Sequence, residues 1–214
     1  MKKCLLFILA SLFVYFADAH TVNYSMANAN QASVGWYYTV LGFTHILPYG
    51  IDHIVFIVGL YLLQPDLLSV VKQATVFTVA HSITLALTML DYIQPPVQSI
   101  EIIIALSILF VAVENLCLDR IYWWRYGIVF LFGLIHGCGF ASALHQTGLP
   151  PQATIWALFT FNVGVELGQV AVVVLCYLLI GKFLSNKIWY RKFIVVPVSC
   201  CIALIATYWL AERM

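Results

Sequence analysis

The chain is written as long apolar windows interrupted by short polar or Pro/Gly-containing punctuation. Six of these windows, at 42–63, 71–90, 97–118, 126–144, 154–180 and 193–210, are near the roughly 20 residues that an α-helix needs to cross the hydrocarbon of a bilayer. The pattern predicts an all-α fold, a polytopic transmembrane helical bundle of about six spans. The stretch 34–41, which carries Trp36, Tyr37 and Tyr38, is expected to be an aromatic approach along the membrane interface ahead of the first span.

The N-terminus is patterned differently. Lys2 and Lys3 precede an apolar run from Cys4 to Phe16, about 13 residues and too short for a span, and Ala17-Asp18-Ala19 then offers the small residues of a cleavage site. Residues 1–19 are therefore expected to be a secretory signal peptide, 20–33 a short periplasmic leader, and 34–214 the six-span domain. Cleavage after Ala19 would leave His20 at the N-terminus, where α-amine and imidazole together form a bidentate donor set suited to Cu(II) or Ni(II). The plainer alternative is that a cleaved chain must begin with some residue.

Charge tests the span model. With the mature N-terminus outside, Lys72, Arg120, Arg125, Lys182, Lys187, Arg191 and Lys192 all fall on the cytoplasmic side and Arg213 alone falls opposite, as the positive-inside rule requires of a bacterial inner-membrane protein. Trp123, Trp124, Trp189 and Tyr190 flank the cytoplasmic ends as expected belt residues. Composition agrees: 63% hydrophobic and 9% charged residues, with a mean hydropathy of +0.97, are too apolar for a water-soluble core, so lipid is the expected solvent. A net charge of +1, with no basic run longer than two residues, excludes the footprint of nucleic-acid binding. The six cysteines lie in apolar stretches without a CxxC pair, so neither a disulfide framework nor a thiolate zinc site is indicated.

Against this apolar background the buried ionisable groups stand out, since a charged one at the bilayer centre costs about 2.5–3.5 kcal/mol on insertion scales. Asp52 and His53 fall near the middle of the first span, His81 of the second, His136 of the fourth and Glu166 of the fifth. One intramembrane histidine is more often an interhelical hydrogen-bond partner than a ligand. Three histidines, an aspartate and a glutamate at a common depth reverse that weighting, and imidazole with carboxylate suits first-row divalent cations. In GFTHILPYGIDH, His45 precedes His53 by eight residues, about 12 Å on an unbroken helix, but Pro48 and Gly50 can break that helix. Accessory candidates are His20, Glu101, Glu114, Asn162, Gln169 and Ser82. Asn162, Glu166 and Gln169 share a stripe, Ser107 and Glu114 share a face, and Gly133/Gly137 and Gly164/Gly168 offer small-residue contacts.

The blocks HILPYGIDHIVF (45–56), FTVAHSITLAL (77–87), IEIIIALSI (100–108) with VEN (113–115), FGLIHGCGFA (132–141) and FNVGVELGQ (161–169) also resemble the HupE/UreJ membrane proteins, over nearly the whole mature chain. Hydrogenase- and urease-linked members of that family are regarded as nickel and cobalt permeases. The resemblance implies a metal site centred on His45, Asp52 and His53, with His81, His136 and Glu166 joining it. Six residues separate His45 from Asp52 where the hydrogenase-linked branch is expected to hold five, which places the chain nearer the broader second branch.

The expected function is an inner-membrane permease for a divalent transition-metal cation, Ni or Co before Zn or Cu. Its partners would be the ion and the lipid bilayer, with a homo-oligomer or a metalloenzyme-maturation partner as further expectations. No P-loop is present to couple it to ATP. The alternatives are a membrane-embedded metal-dependent hydrolase with Glu166 or Glu114 as base, and a metal-binding membrane subunit that does not transport.

Overall fold

The computed structural model describes Met26 and residues 29–214. The segment expected to be a signal peptide and His20 lie outside the described residues. Seven principal helices follow one another without any strand among the described residues: α1 (Gln31–Ile46), α2 (Ile51–Leu63), α3 (Leu67–Met89), α4 (Val97–Cys117), α5 (Trp124–Thr147), α6 (Thr154–Cys176) and α7 (Val196–Arg213). A π-helical turn, Tyr177–Gly181, prolongs α6 to Leu184, and another, Arg191–Val195, leads into α7. Five stretches are long and apolar enough to cross a membrane alone, and α1 with α2, bent by 66°, make a sixth if counted as one span.

Local chemistry sets the helix starts. Asn30 Oδ1 accepts from Ser33 N–H at 2.8 Å to cap α1, and Asp66 Oδ2 accepts from Ser69 N–H at 2.8 Å to cap α3, each meeting a donor that the first turn leaves free. Pro96 stands just before α4, where a missing N–H costs nothing.

The start of α1 corrects the interfacial reading of 34–41. That segment is helical and packed: Val34, Gly35 and Tyr38 are buried, and the Tyr38 hydroxyl donates to the Gly148 carbonyl at 2.7 Å. Only Trp36 of the three aromatics turns outward, at 72% exposure. Tyr190 likewise is no belt residue. It is buried, and its hydroxyl donates to the Leu62 carbonyl at 3.2 Å, tying the end of α2 to the approach to α7.

Two helix pairs form the frame, and glycine decides both. Gly42 of α1 lies against the Phe161 carbonyl of α6, and Gly164 of α6 against the Thr39 carbonyl of α1, so a Cβ at either position would strike backbone. On the other pair, Gly133 and Gly137 of α5 rest on the Phe77 and His81 carbonyls of α3. With no hydrophobic force to hold helices together in lipid, such close backbone approach supplies the packing contact. Both pairs run parallel, since contacts advance in step along each partner. α4 packs against α5 and α7, and α2 is covered by α4 and α6. The basic residues Lys72, Arg125 and Arg191 gather at one end of the bundle, where Arg191 donates to the Leu118 and Leu116 carbonyls and closes the end of α4.

Candidate metal centre

The break between α1 and α2 builds the centre. Pro48 has no N–H to continue α1 and disfavours helical backbone at Leu47, which takes extended dihedrals. Gly50 then passes so close to the His45 carbonyl that no Cβ would fit. Helix α2 restarts with Ile54 N–H donating to the Gly50 carbonyl at 2.9 Å. The fold-back leaves the His45 and His53 rings with centroids 4.8 Å apart.

His53 is the hub. Its ring centroid lies 5.0 Å from that of His136 on α5 and 6.0 Å from that of His81 on α3. Two donor groups result, His45/His53/His81 and Asp52/His53/His136, and within each group the ligand atoms lie within 4.8 Å of one another. His53, His81 and His136 are buried, while the Asp52 side chain keeps 26% of its exposure beside the break.

Each hub histidine is held by one nitrogen and leaves the other open. His53 Nδ1 faces Asp52 Oδ1 at 3.1 Å, and that oxygen also accepts the His53 backbone N–H at 2.9 Å. His81 Nδ1 faces Asn162 Oδ1 at 3.4 Å; the Asn162 amide group donates to the Leu158 carbonyl at 2.8 Å, so its oxygen is the end presented to the imidazole. His136 Nε2 lies 3.0 Å from Ser107 Oγ, whose proton is given to the Ile104 carbonyl at 2.7 Å, so Nε2–H is the donor. The partners thus assign a proton to the outer nitrogen of each ring and an open lone pair to the inner one. The inner atoms, His53 Nε2, His81 Nε2 and His136 Nδ1, are buried without a partner, as is His45 Nε2. An unmet buried polar atom costs roughly 1–3 kcal/mol, so four in one cluster of rings favour an occupant that accepts lone pairs. A divalent transition-metal ion has that chemistry, and outer hydrogen bonds of this kind orient imidazoles for it.

Over residues 5–213 the sequence matches the model of a family described as HupE / UreJ protein. The chain belongs to the HupE/UreJ family. No curated protein and no solved structure matches it.

In this HupE/UreJ chain the remaining candidates are placed as follows. Asn162 is the partner of His81. Gln169 and Glu166 continue the same stripe of α6 onto α3: Thr78 Oγ1 donates to Gln169 Oε1 at 3.1 Å and Thr75 Oγ1 to Glu166 Oε1 at 2.6 Å. Glu166 joins neither donor group, although its Oε2 is buried and unpartnered. Ser82 turns back on its own helix, donating to the Thr78 carbonyl at 2.6 Å. Glu101 is exposed, and its carbonyl accepts from Arg213 at 3.0 Å. Glu114 is buried in an ion pair with the equally buried Arg125, Oε2 to Nη1 3.0 Å.

Sequence reasoning passed over the aromatic wall of the centre. Phe77 stands 5.0 Å from His136 and 5.7 Å from His53, Phe56 is 5.5 Å from His136, and Phe140 lies 3.7 Å from His45, all between ring centroids. The signal was present: Phe77, Phe132 and Phe140 sit four residues from His81 or His136, and Phe56 three from His53. These rings keep lipid and bulk water off the imidazoles and lower the local dielectric, which strengthens any ion–ligand attraction.

Proposed function

We propose that this HupE/UreJ chain is a permease for a divalent transition-metal cation, Ni or Co foremost, seated in a bacterial inner membrane with its N-terminus periplasmic and its basic end cytoplasmic. One observation carries the reading. The inner nitrogens of His45, His53, His81 and His136 are buried and unpartnered, while the outer nitrogens of His53, His81 and His136 are held by Asp52, Asn162 and Ser107. Family membership supports it, since nickel and cobalt permeases are expected among these proteins. In this reading His45, Asp52, His53, His81 and His136 take up the dehydrated ion, and Glu166, on the next turn of α6 from Asn162 toward the basic end, receives it on release.

The test is uptake of Ni, Co, Zn and Cu into proteoliposomes, wild type beside His53→Ala and Asp52→Asn, with bound metal determined on the same samples. Uptake of Ni or Co in the wild type, lost in both variants, is expected. Tight binding with no flux for any ion would overturn the permease and direct attention to an intramembrane hydrolase.

A further inference from the structure

Resting on the permease reading, we propose that the centre holds one cation in two alternative positions, handed across by His53. The first position is formed by His45, His53 and His81, the second by Asp52, His53 and His136.

The geometry separates the two. His45 ends α1 and His81 lies on α3, with Asn162 of α6 behind it, whereas His136 lies on α5 with Ser107 of α4 behind it. His53 stands between, its ring 4.8 Å from that of His45 on one side and 5.0 Å from that of His136 on the other. The positions lie at one level of the bundle, because Gly137, next to His136, rests on the His81 carbonyl. The step between them is therefore lateral, from the α1/α3/α6 side to the α4/α5 side.

Charge keeps the occupancy single. The two groups together contain one carboxylate, Asp52, and four imidazoles that must be neutral to ligate. A second divalent ion a few ångströms away, in a site walled by phenylalanine, would meet strong repulsion with nothing to offset it. The positions also differ in donor chemistry: three nitrogens in the first, two nitrogens and a carboxylate oxygen in the second. Conduction needs sites that are favourable to enter yet weak enough to leave, and two incomplete sets sharing one ligand meet that condition better than a single closed set of four or five donors.

Co(II) is the probe, read by its visible ligand-field spectrum and X-ray absorption on detergent-purified full-length protein, with uptake into vesicles measured beside it. His45→Ala confines the ion to the second position and His136→Ala to the first. Each variant is expected to bind one Co(II) with its own spectrum, oxygen-containing in His45→Ala and all-nitrogen from protein in His136→Ala, while the wild-type spectrum is a mixture of both. His53→Ala is expected to bind none. Both single variants should bind but fail to carry Co(II) across. His45→Gln and His136→Gln, which keep side-chain volume and polarity, replace any alanine variant that does not fold. Two ions in the wild type, no binding in either single variant, or a wild-type spectrum and full flux in His136→Ala would each overturn the shared hub. Absence of flux in the wild type would instead overturn the permease reading, and the equilibrium spectra would still decide whether two positions exist.

Discussion

Ser107 Oγ lies 3.0 Å from His136 Nε2 while giving its own proton to the Ile104 carbonyl one turn back on α4. That hydroxyl can only accept from the imidazole, so it holds the proton on Nε2 and leaves Nδ1 open toward His53. Removing it frees the ring to rotate and to place its proton on either nitrogen. Ser107→Ala is expected to weaken Co(II) or Ni(II) binding about 10- to 100-fold without unfolding the protein, the usual cost of deleting such an outer partner. Competition against a chelating dye measures the change, and circular dichroism checks the fold. Unchanged affinity would show that His136 needs no orienting partner.

The matching argument applies across the bundle at Asn162. Its side-chain oxygen faces His81 Nδ1 at 3.4 Å, and its amide group is already committed to the Leu158 carbonyl. Asn162→Leu is expected to lower metal affinity by a similar factor, whereas Ser82→Ala is expected to change it little, because Ser82 bonds only its own helix. The contrast between two polar residues of neighbouring helices, read by the same dye titration, separates orientation of His81 from mere polarity near it.

Much of this arrangement was legible from residue spacing, and the reasons for success and failure are physical. Pro48 and Gly50 between His45 and His53 announced a broken helix, since proline removes a donor and glycine permits the close backbone pass. Mid-window placement of His81 and His136 put their rings at the depth of that break. Gly133 and Gly137 flagged the contact that presses α5 on α3. The start of α1 was less legible, because Trp36, Tyr37 and Tyr38 have the composition of an interfacial belt. What decides their role is that Val34, Gly35, Tyr38 and Gly42 are buried together, and that Gly35 and Gly42 meet Trp156, Thr160 and Phe161 of α6 more than 100 residues later. Glu114 and Arg125 were read separately for the same reason. Sequence places one near the end of a span and the other in a basic connection, and only the antiparallel packing of α4 on α5 brings them together.

That ion pair invites a test of stability. Arg125 and Glu114 are almost wholly removed from solvent, with side-chain exposures of 1% and 4%. Breaking a buried pair by deleting one partner leaves an uncompensated charge and typically costs about 3–5 kcal/mol, whereas replacing both by uncharged groups of similar volume is often near neutral. Arg125→Met is therefore expected to lower the midpoint of thermal unfolding in detergent sharply, and Glu114→Gln with Arg125→Met to recover most of the loss. A double variant no more stable than the single one would mean that the charge on Arg125 has a partner beyond Glu114.

Glycine contacts make a second stability prediction with an internal control. A Cβ at Gly137 would meet the His81 carbonyl and the Thr84 hydroxyl, so Gly137→Ala must push α5 from α3 or bend one of them. Overpacking of this kind costs about 1–3 kcal/mol, and here it also draws His136 away from His81. Gly127, on the same helix, has nothing within 4 Å of its would-be Cβ. Gly127→Ala is expected to be neutral or stabilising by up to about 1 kcal/mol, since alanine favours helix over glycine. Thermal unfolding with metal titration on both variants should show stability and affinity falling together at 137 and neither falling at 127.

Proton competition sets the pH dependence of the centre. An imidazole ligates only when neutral, because the lone pair that holds the ion is the one that takes the proton. The open atoms are His45 Nε2, His53 Nε2, His81 Nε2 and His136 Nδ1, so each occupied donor excludes a proton that acid would otherwise add. Binding is thus linked to proton release: affinity falls once the solution is acid enough for protons to take the lone pairs that hold the ion, by more than one proton's worth where several imidazoles share it. Titrating Co(II) binding in steps downward from about pH 8 until the ion is released measures the slope. The slope should shrink in His45→Ala, whose remaining position substitutes the Asp52 carboxylate for one imidazole donor. A slope no steeper in the wild type than in His45→Ala would remove His45 from the ligand set.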